Sequence, residues 1–157
     1  MVSFLQKIRW AFKYLFCDKP LTEEEFATFC KEGFSFLVDE YQFQISDINA
    51  LGTMGYITKF YSARIVIVIT YECREREVVL SICKRNSQPI EDIQGYGTGC
   101  YQFEDIVKQF MPDKYSIPVE IRYSNEPEHS RGIIKHCATL LHKYRHEILT
   151  GTSAFFG

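Results

Sequence analysis

Between Ala63 and Lys84 the chain reads Ala-Arg-Ile-Val-Ile-Val-Ile-Thr-Tyr-Glu-Cys-Arg-Glu-Arg-Glu-Val-Val-Leu-Ser-Ile-Cys-Lys. β-Branched side chains are stiff at their first torsion and pack well on a pleated surface. Two such runs around the charged tip Cys73-Arg74-Glu75-Arg76 therefore predict a β-hairpin at the centre of a sheet. In the first run Ile65, Ile67 and Ile69 point one way, and Val66 and Val68 point the other. Apolar residues on both sides predict an inner strand partly covered on both faces. Helices predicted at both ends of the chain supply that cover.

Upstream, Phe4, Leu5, Ile8, Ala11, Phe12, Leu15 and Phe16 recur at helical spacing, with Lys7, Arg9 and Lys13 off their face. Residues 1–19 thus read as a basic amphipathic helix, ended by Asp18-Lys19-Pro20. Thr22 and Glu25 form a capping box that opens a second helix carrying Phe26 and Phe29, with Gly33 ending or kinking it. Tyr41 to Ile48 alternates as a short strand, Gly52 to Gly55 reads as a turn, and Tyr56 to Tyr61 as a further strand. Asn86 to Gly99 is a polar, glycine-rich stretch. Tyr101 to Met111 has helical spacing, and Tyr115 to Tyr123 reads as an extended piece that Pro118 restricts to an edge. A final helix opens near Asn125 and Glu128, buries Ile133, Ile134, Cys137, Leu140, Leu141, Tyr144 and Ile148, and stops at Gly151. The fold class is α+β, with an antiparallel sheet of three to five strands and N-terminal and C-terminal helices packed on it. A length of 157 residues suits a single domain, residues 1–157, with no linker dividing it.

A net charge of −2 gives no overall attraction to nucleic acid or to an anionic membrane. The basic residues Arg131, Lys135, Lys143 and Arg145 share the last helix with Glu126, Glu128 and Glu147, and no nucleic-acid signature accompanies them. Cys17, Cys30, Cys73, Cys83, Cys100 and Cys137 include no CxxC pair. With no secretory apolar region and no transmembrane run, they read as unpaired thiols in a reducing cytoplasm. Cys73 and Cys83 sit at different offsets from the hairpin tip, which does not imply a bond between them.

Signals for chemistry are sparse. His142 and His146 are four apart on a helix, but Lys143 stands where a metalloprotease helix carries Glu. Lys135 and Arg145 add positive charge, so a solvated basic face accounts for both histidines and no metal is implied. Gly95-Tyr-Gly-Thr-Gly99 lacks the spacing of a phosphate loop, and Glu104 and Asp105 would repel phosphate from the helix predicted after it. That stretch reads as a flexible loop, with a mobile contact loop as the second reading, and no cofactor is implied. The pairs Asp39-Glu40, Glu91-Asp92 and Glu104-Asp105 suit helix ends and loops better than acid–base work. Cys100, at a predicted helix start after the glycine loop, is the residue on which an enzymatic reading would rest, as an activated thiol. The interaction signal is Trp10 with Tyr14, four apart beside Arg9 and Lys13. Those side chains suit a partner protein, or in a second reading a membrane surface.

From the sheet onward, roughly residues 55–151, the chain resembles small bacterial α+β proteins of the immunity type, found beside polymorphic or contact-dependent toxins, and related uncharacterised families. The hairpin from Ile65 to Val78 and the closing Cys137-Ala-Thr-Leu-Leu-His-Lys-Tyr-Arg-His-Glu-Ile-Leu-Thr-Gly151 carry the resemblance. An acidic residue often follows the glycine in such proteins; here it is Thr152. The resemblance implies a cytoplasmic, non-enzymatic protein that binds and blocks another protein, possibly a toxin, and it brings no shared contact residues.

Overall fold

The computed structural model describes residues 19–110, 118–122, 124–143 and 148–149. The basic helix expected over residues 1–19, with Trp10 and Tyr14, lies outside the described residues, as do Cys17, Tyr144, His146 and Gly151.

The capping box forms as the sequence requires. Thr22 Oγ1 accepts from the Glu25 N–H at 3.2 Å, and Glu25 Oε2 accepts from the Thr22 N–H at 2.9 Å. These two bonds satisfy backbone donors that a helix start leaves open, and they launch α1 over Glu23–Gly33. Phe34 interrupts the helix, and a short α2 follows over Ser35–Asp39. The segment expected as a strand over Tyr41 to Ile48 is only partly extended: β1 is Gln44–Ile45, and β2 is Asn49–Ala50. Both pair with β3 (Gly55–Tyr61), at Gln44↔Tyr61 and at Asn49↔Ile57, as two halves of one edge. Between them Ser46 replaces the ladder, with Oγ accepting from the Lys59 N–H at 3.0 Å.

The hairpin of β4 (Ile65–Glu72) and β5 (Glu77–Lys84) occupies the interior of the sheet, whose order is β1-β3-β4-β5-β6 with β2 also on β3. All pairings are antiparallel. The last strand, β6 (Cys100–Gln102), leads directly into α3 (Phe103–Phe110). That corrects the helix expected from Tyr101: register with β5, Ile82↔Tyr101, holds this residue extended. Val119–Arg122, expected to be extended, is a helical turn, α4. Pro118 stands at its start, where a missing N–H costs nothing, and its carbonyl accepts from Ile121 and Arg122 at 3.1 and 3.0 Å. α5 runs over Glu128–Lys143.

One face of the sheet carries Tyr56, Phe60, Ile65, Ile67, Ile69, Tyr71, Leu80 and Ile82. It packs on Phe26, Phe34 and Leu37 of the N-terminal helical region, on Ile106 and Val107 of α3, and on Ile134, Ala138 and Leu141 of α5. Burying each large side chain there contributes roughly 1.5–3 kcal/mol. α1 reaches α5 at Gly33, where a β-carbon would stand 3.2 Å from Ile134 Cγ2. The other face, with Ile57, Val66, Val68 and Cys83, was expected beneath helices. Among the described residues its cover is instead the loop after β5, through Ile93 with Ile90 beside it.

Candidate functional site

That loop, residues 85–99, lies as a strap across the second face. It leaves β5 with the Arg85 N–H donating to Arg64 O at 2.8 Å and the Arg85 guanidinium donating to Ser62 O at 2.9 Å. A 3₁₀ turn over Ile90–Asp92 follows. Lys59, on the second face of β3, is only 3% exposed, and its Nζ donates to Ile90 O at 2.6 Å and to Glu91 O at 3.3 Å. Burial lowers the Lys59 pKa, while Glu91 and Asp92 act to raise it. The side chain spends its donors on carbonyls at the end of the turn, which explains a lysine enclosed beneath a loop. Replacing it should be costly. Lys59→Met is expected to lose roughly 1–2 kcal/mol: the two bonds of the ammonium go, while Ile90 O keeps the Ile93 N–H at 3.3 Å and Glu91 O keeps the Gln94 amide at 2.7 Å. Urea unfolding reads the loss, and chymotryptic cleavage after Tyr96 should quicken at the same time.

Past Ile93 the backbone comes down on the sheet at Gly95. A β-carbon there would meet Val68 Cγ1 at 3.1 Å, and its φ of +88° disfavours any other residue. Tyr96 then stands clear of the surface, 79% exposed, between Gly95 and Gly97. The strap closes on β5 again: the Lys84 N–H donates to Gly99 O at 2.8 Å, and the Cys100 N–H donates to Gly97 O at 3.2 Å. Cys83 and Cys100, opposite each other in the β5–β6 ladder, are joined by a disulfide.

This bond corrects two expectations. The six cysteines are not all thiols, because the strap returns Cys100 to Cys83 in register. Nor can Cys100 serve as the activated thiol of an enzyme while its sulfur is bonded. The loop ahead of it also enters a strand, not a helix, so no helix start lowers its pKa. Cys30, Cys73 and Cys137 are thiols. Burial raises the pKa of all three, that of Cys137 to about 12 with a further push from Glu104, so each is held protonated at neutral pH.

Two clefts flank α5. The larger, of about 540 Å³, lies beside β5 and brings together His129, His136, Cys137 and Glu104. His136 and Cys137 are already neighbours along α5, and the tertiary fold adds only Glu104 of α3 to them. Yet the pair is chemically idle, since burial lowers the pKa of His136 and raises that of Cys137, so neither charged form is favoured. His129 Nδ1 lies 2.7 Å from Ile121 O, which as a carbonyl accepts the proton and ties α5 to α4. The smaller cleft, about 380 Å³, lies between α1 and α5 and is lined in part by Phe36, Arg131 and His142. His142 is not simply solvated: its ring lies 4.6 Å from that of Phe36, and its Nε2 is 3.2 Å from Glu40 Oε1. Among the described residues no group of three or more ligating side chains could hold a metal ion. Asp39-Glu40 closes α2, Glu91-Asp92 lies in the 3₁₀ turn and Glu104-Asp105 opens α3, where Glu104 is engaged by Lys108 at 2.9 Å.

The site is therefore an aromatic presented by a strap that is tied down at its turn, packed at Gly95 and cross-linked at its base. Its class is an antiparallel α+β domain in which, among the described residues, helices pack on one face of the sheet and a strap lies on the other. No protein-family model, no curated protein and no solved structure matches this chain. No helix among the described residues is long and apolar enough to cross a membrane.

Proposed function

We propose that this protein is a non-enzymatic binding module of the bacterial cytoplasm that blocks another protein by occupying its working surface, in the manner of immunity-type inhibitors. The observation that carries the reading is Tyr96, 79% exposed on a loop whose neighbours on both sides are held. Tyrosine combines a large rigid contact area with a hydrogen-bonding tip, and tyrosine with glycine and small hydroxyl residues is the chemistry of adaptable recognition loops. Thr98, also exposed, and the neighbouring glycines give that composition. Holding the loop before binding lowers the ordering entropy that association costs. The resemblance to immunity-type proteins and the protonated state of the described thiols support the same reading.

The test is a photo-crosslinking amino acid placed at position 96 in native cells, with the exposed Glu24 as control position. A single protein should be captured from position 96 and not from position 24. Tyr96→Ala should then weaken the purified complex by about 2 kcal/mol, roughly thirtyfold in Kd. A complex whose affinity ignores Tyr96→Ala would rule out the strap as the contact surface.

A further inference from the structure

The attachments that precede Tyr96 are the Arg85 bonds to Arg64 and Ser62, the Lys59 bonds to Ile90 and Glu91, the buried Ile93 and the close packing of Gly95 on Val68. After Tyr96 the attachment is thinner. It includes the Lys84 N–H bond to Gly99 O, the three-residue β6 and the Cys83–Cys100 disulfide. Tyr101 and Gln102 of β6 are exposed, so its pairing with β5 is open to water. Short, exposed edge pairing opens locally at low free energy unless something else secures it.

We propose that the Cys83–Cys100 disulfide is a redox control on the strap, holding residues 96–102 in place when intact and releasing them when reduced by a dithiol. The inference rests on the strap being the contact surface only for its consequence to binding; the release itself does not. Cys83 is 1% exposed and Cys100 is half-buried, so the incoming thiolate attacks Cys100 Sγ. The S–S bond breaks, and Cys83 leaves as a thiolate and takes up a proton. The second thiol of the dithiol, once deprotonated, displaces Cys100 Sγ from the mixed disulfide, and Cys100 is protonated in turn. Two electrons have then passed from the dithiol to the protein, and the reductant departs as a cyclic disulfide. The Lys59 bonds and the Gly95 contact are untouched, so the strap stays on the sheet up to Gly95, and mobility begins at Tyr96. A binding surface would be switched without unfolding the domain.

Amide hydrogen exchange of the full chain, oxidised in air and then treated with excess dithiothreitol, tests this. Residues 96–102 should exchange at least tenfold faster after reduction, while β3, β4 and α5 keep their rates. Removing the dithiol and re-oxidising should restore the slow rates, and Cys83→Ser/Cys100→Ser should match the reduced chain. Unchanged exchange at 96–102 overturns the proposal, as does acceleration throughout the sheet, which would make the bond a support of the whole fold. Alkylation of the denatured, air-oxidised chain at all six cysteines would overturn it as well, because the bond would not have formed. Failure to crosslink a partner at position 96 would refute the binding role and leave the exchange result standing.

Discussion

Gly55→Ala is expected to destabilise the domain by about 3 kcal/mol, lowering the melting temperature by roughly 10 °C. Gly55 begins β3 opposite Glu72 of β4. A β-carbon at this position would be driven into the carbonyl oxygen of Tyr71 and would stand 3.2 Å from Glu72 Cα. Both are backbone atoms of the inner strand, so no rotamer change can relieve the overlap. β3 would have to peel from β4 at that end, loosening Cys73 N–H from Met54 O and Leu51 N–H from Gly55 O, each now 2.8 Å. Gly52→Ala is the matched control. Gly52 has φ +61° with nothing within 4 Å of a β-carbon, so only the left-handed backbone is penalised, by about 1–2 kcal/mol. Equal urea midpoints for Gly55→Ala and the parent chain would show that the strands do not approach this closely.

Alkaline pH should unfold this protein more readily than its modest charge suggests. Cys30 and Tyr71 have no exposed surface. Burial lifts the Cys30 thiol above its ordinary 9.0, and it lifts the Tyr71 phenol to about 12, with Glu126 adding to the rise and the Leu21 N–H opposing it. Both groups lose a proton more easily in the unfolded chain. Below the unfolded pKa each contributes its full stability; above it the unfolded state binds fewer protons, and the contribution falls as pH climbs towards the folded value. The loss begins near pH 9 for the thiol and near pH 10 for the phenol. It runs on the order of 1 kcal/mol per pH unit for each group. Lys59, whose pKa is lowered, works in the opposite sense: between its folded value and 10.5 the unfolded state binds the extra proton, so stability rises with pH there. Urea unfolding from pH 8 to pH 11 should show a falling midpoint, and Cys30→Ala should make the part that begins near pH 9 shallower, the remainder coming from Cys137 and Cys73, whose thiols are also raised. A midpoint constant to pH 11 would mean that neither group is shielded from water as the packing requires.

The hairpin, the capping box at Thr22 and the apolar stripe of α5 were legible because each is a local pattern. Period-two β-branched residues can bury two faces only as an inner strand, and a helix start must satisfy its own donors. β6 was not legible. Cys100-Tyr101-Gln102 carries no alternation of its own and is extended only because β5 offers it a ladder. The turn at Val119–Arg122 was misread for a related reason: Pro118 is compatible with an edge strand and with a helix start, and only the chain around it selects between them. Tyr96 lay in a stretch that reads as a flexible glycine-rich loop, and neither its exposure nor its neighbours' attachments were visible. Lys59 gave no sign that it would be buried, since a lysine in an alternating strand normally marks the solvent side.

Sequence alone determined an antiparallel α+β domain organised on the hairpin from Ile65 to Lys84, since those residues have no other way to leave water. Tertiary structure alone decided what covers the second face, which thiols become a bond and where an aromatic is left exposed. Those outcomes depend on contacts between residues distant along the chain, Lys59 with Ile90 and Cys83 with Cys100 among them, and such contacts leave no periodic trace in the order of amino acids.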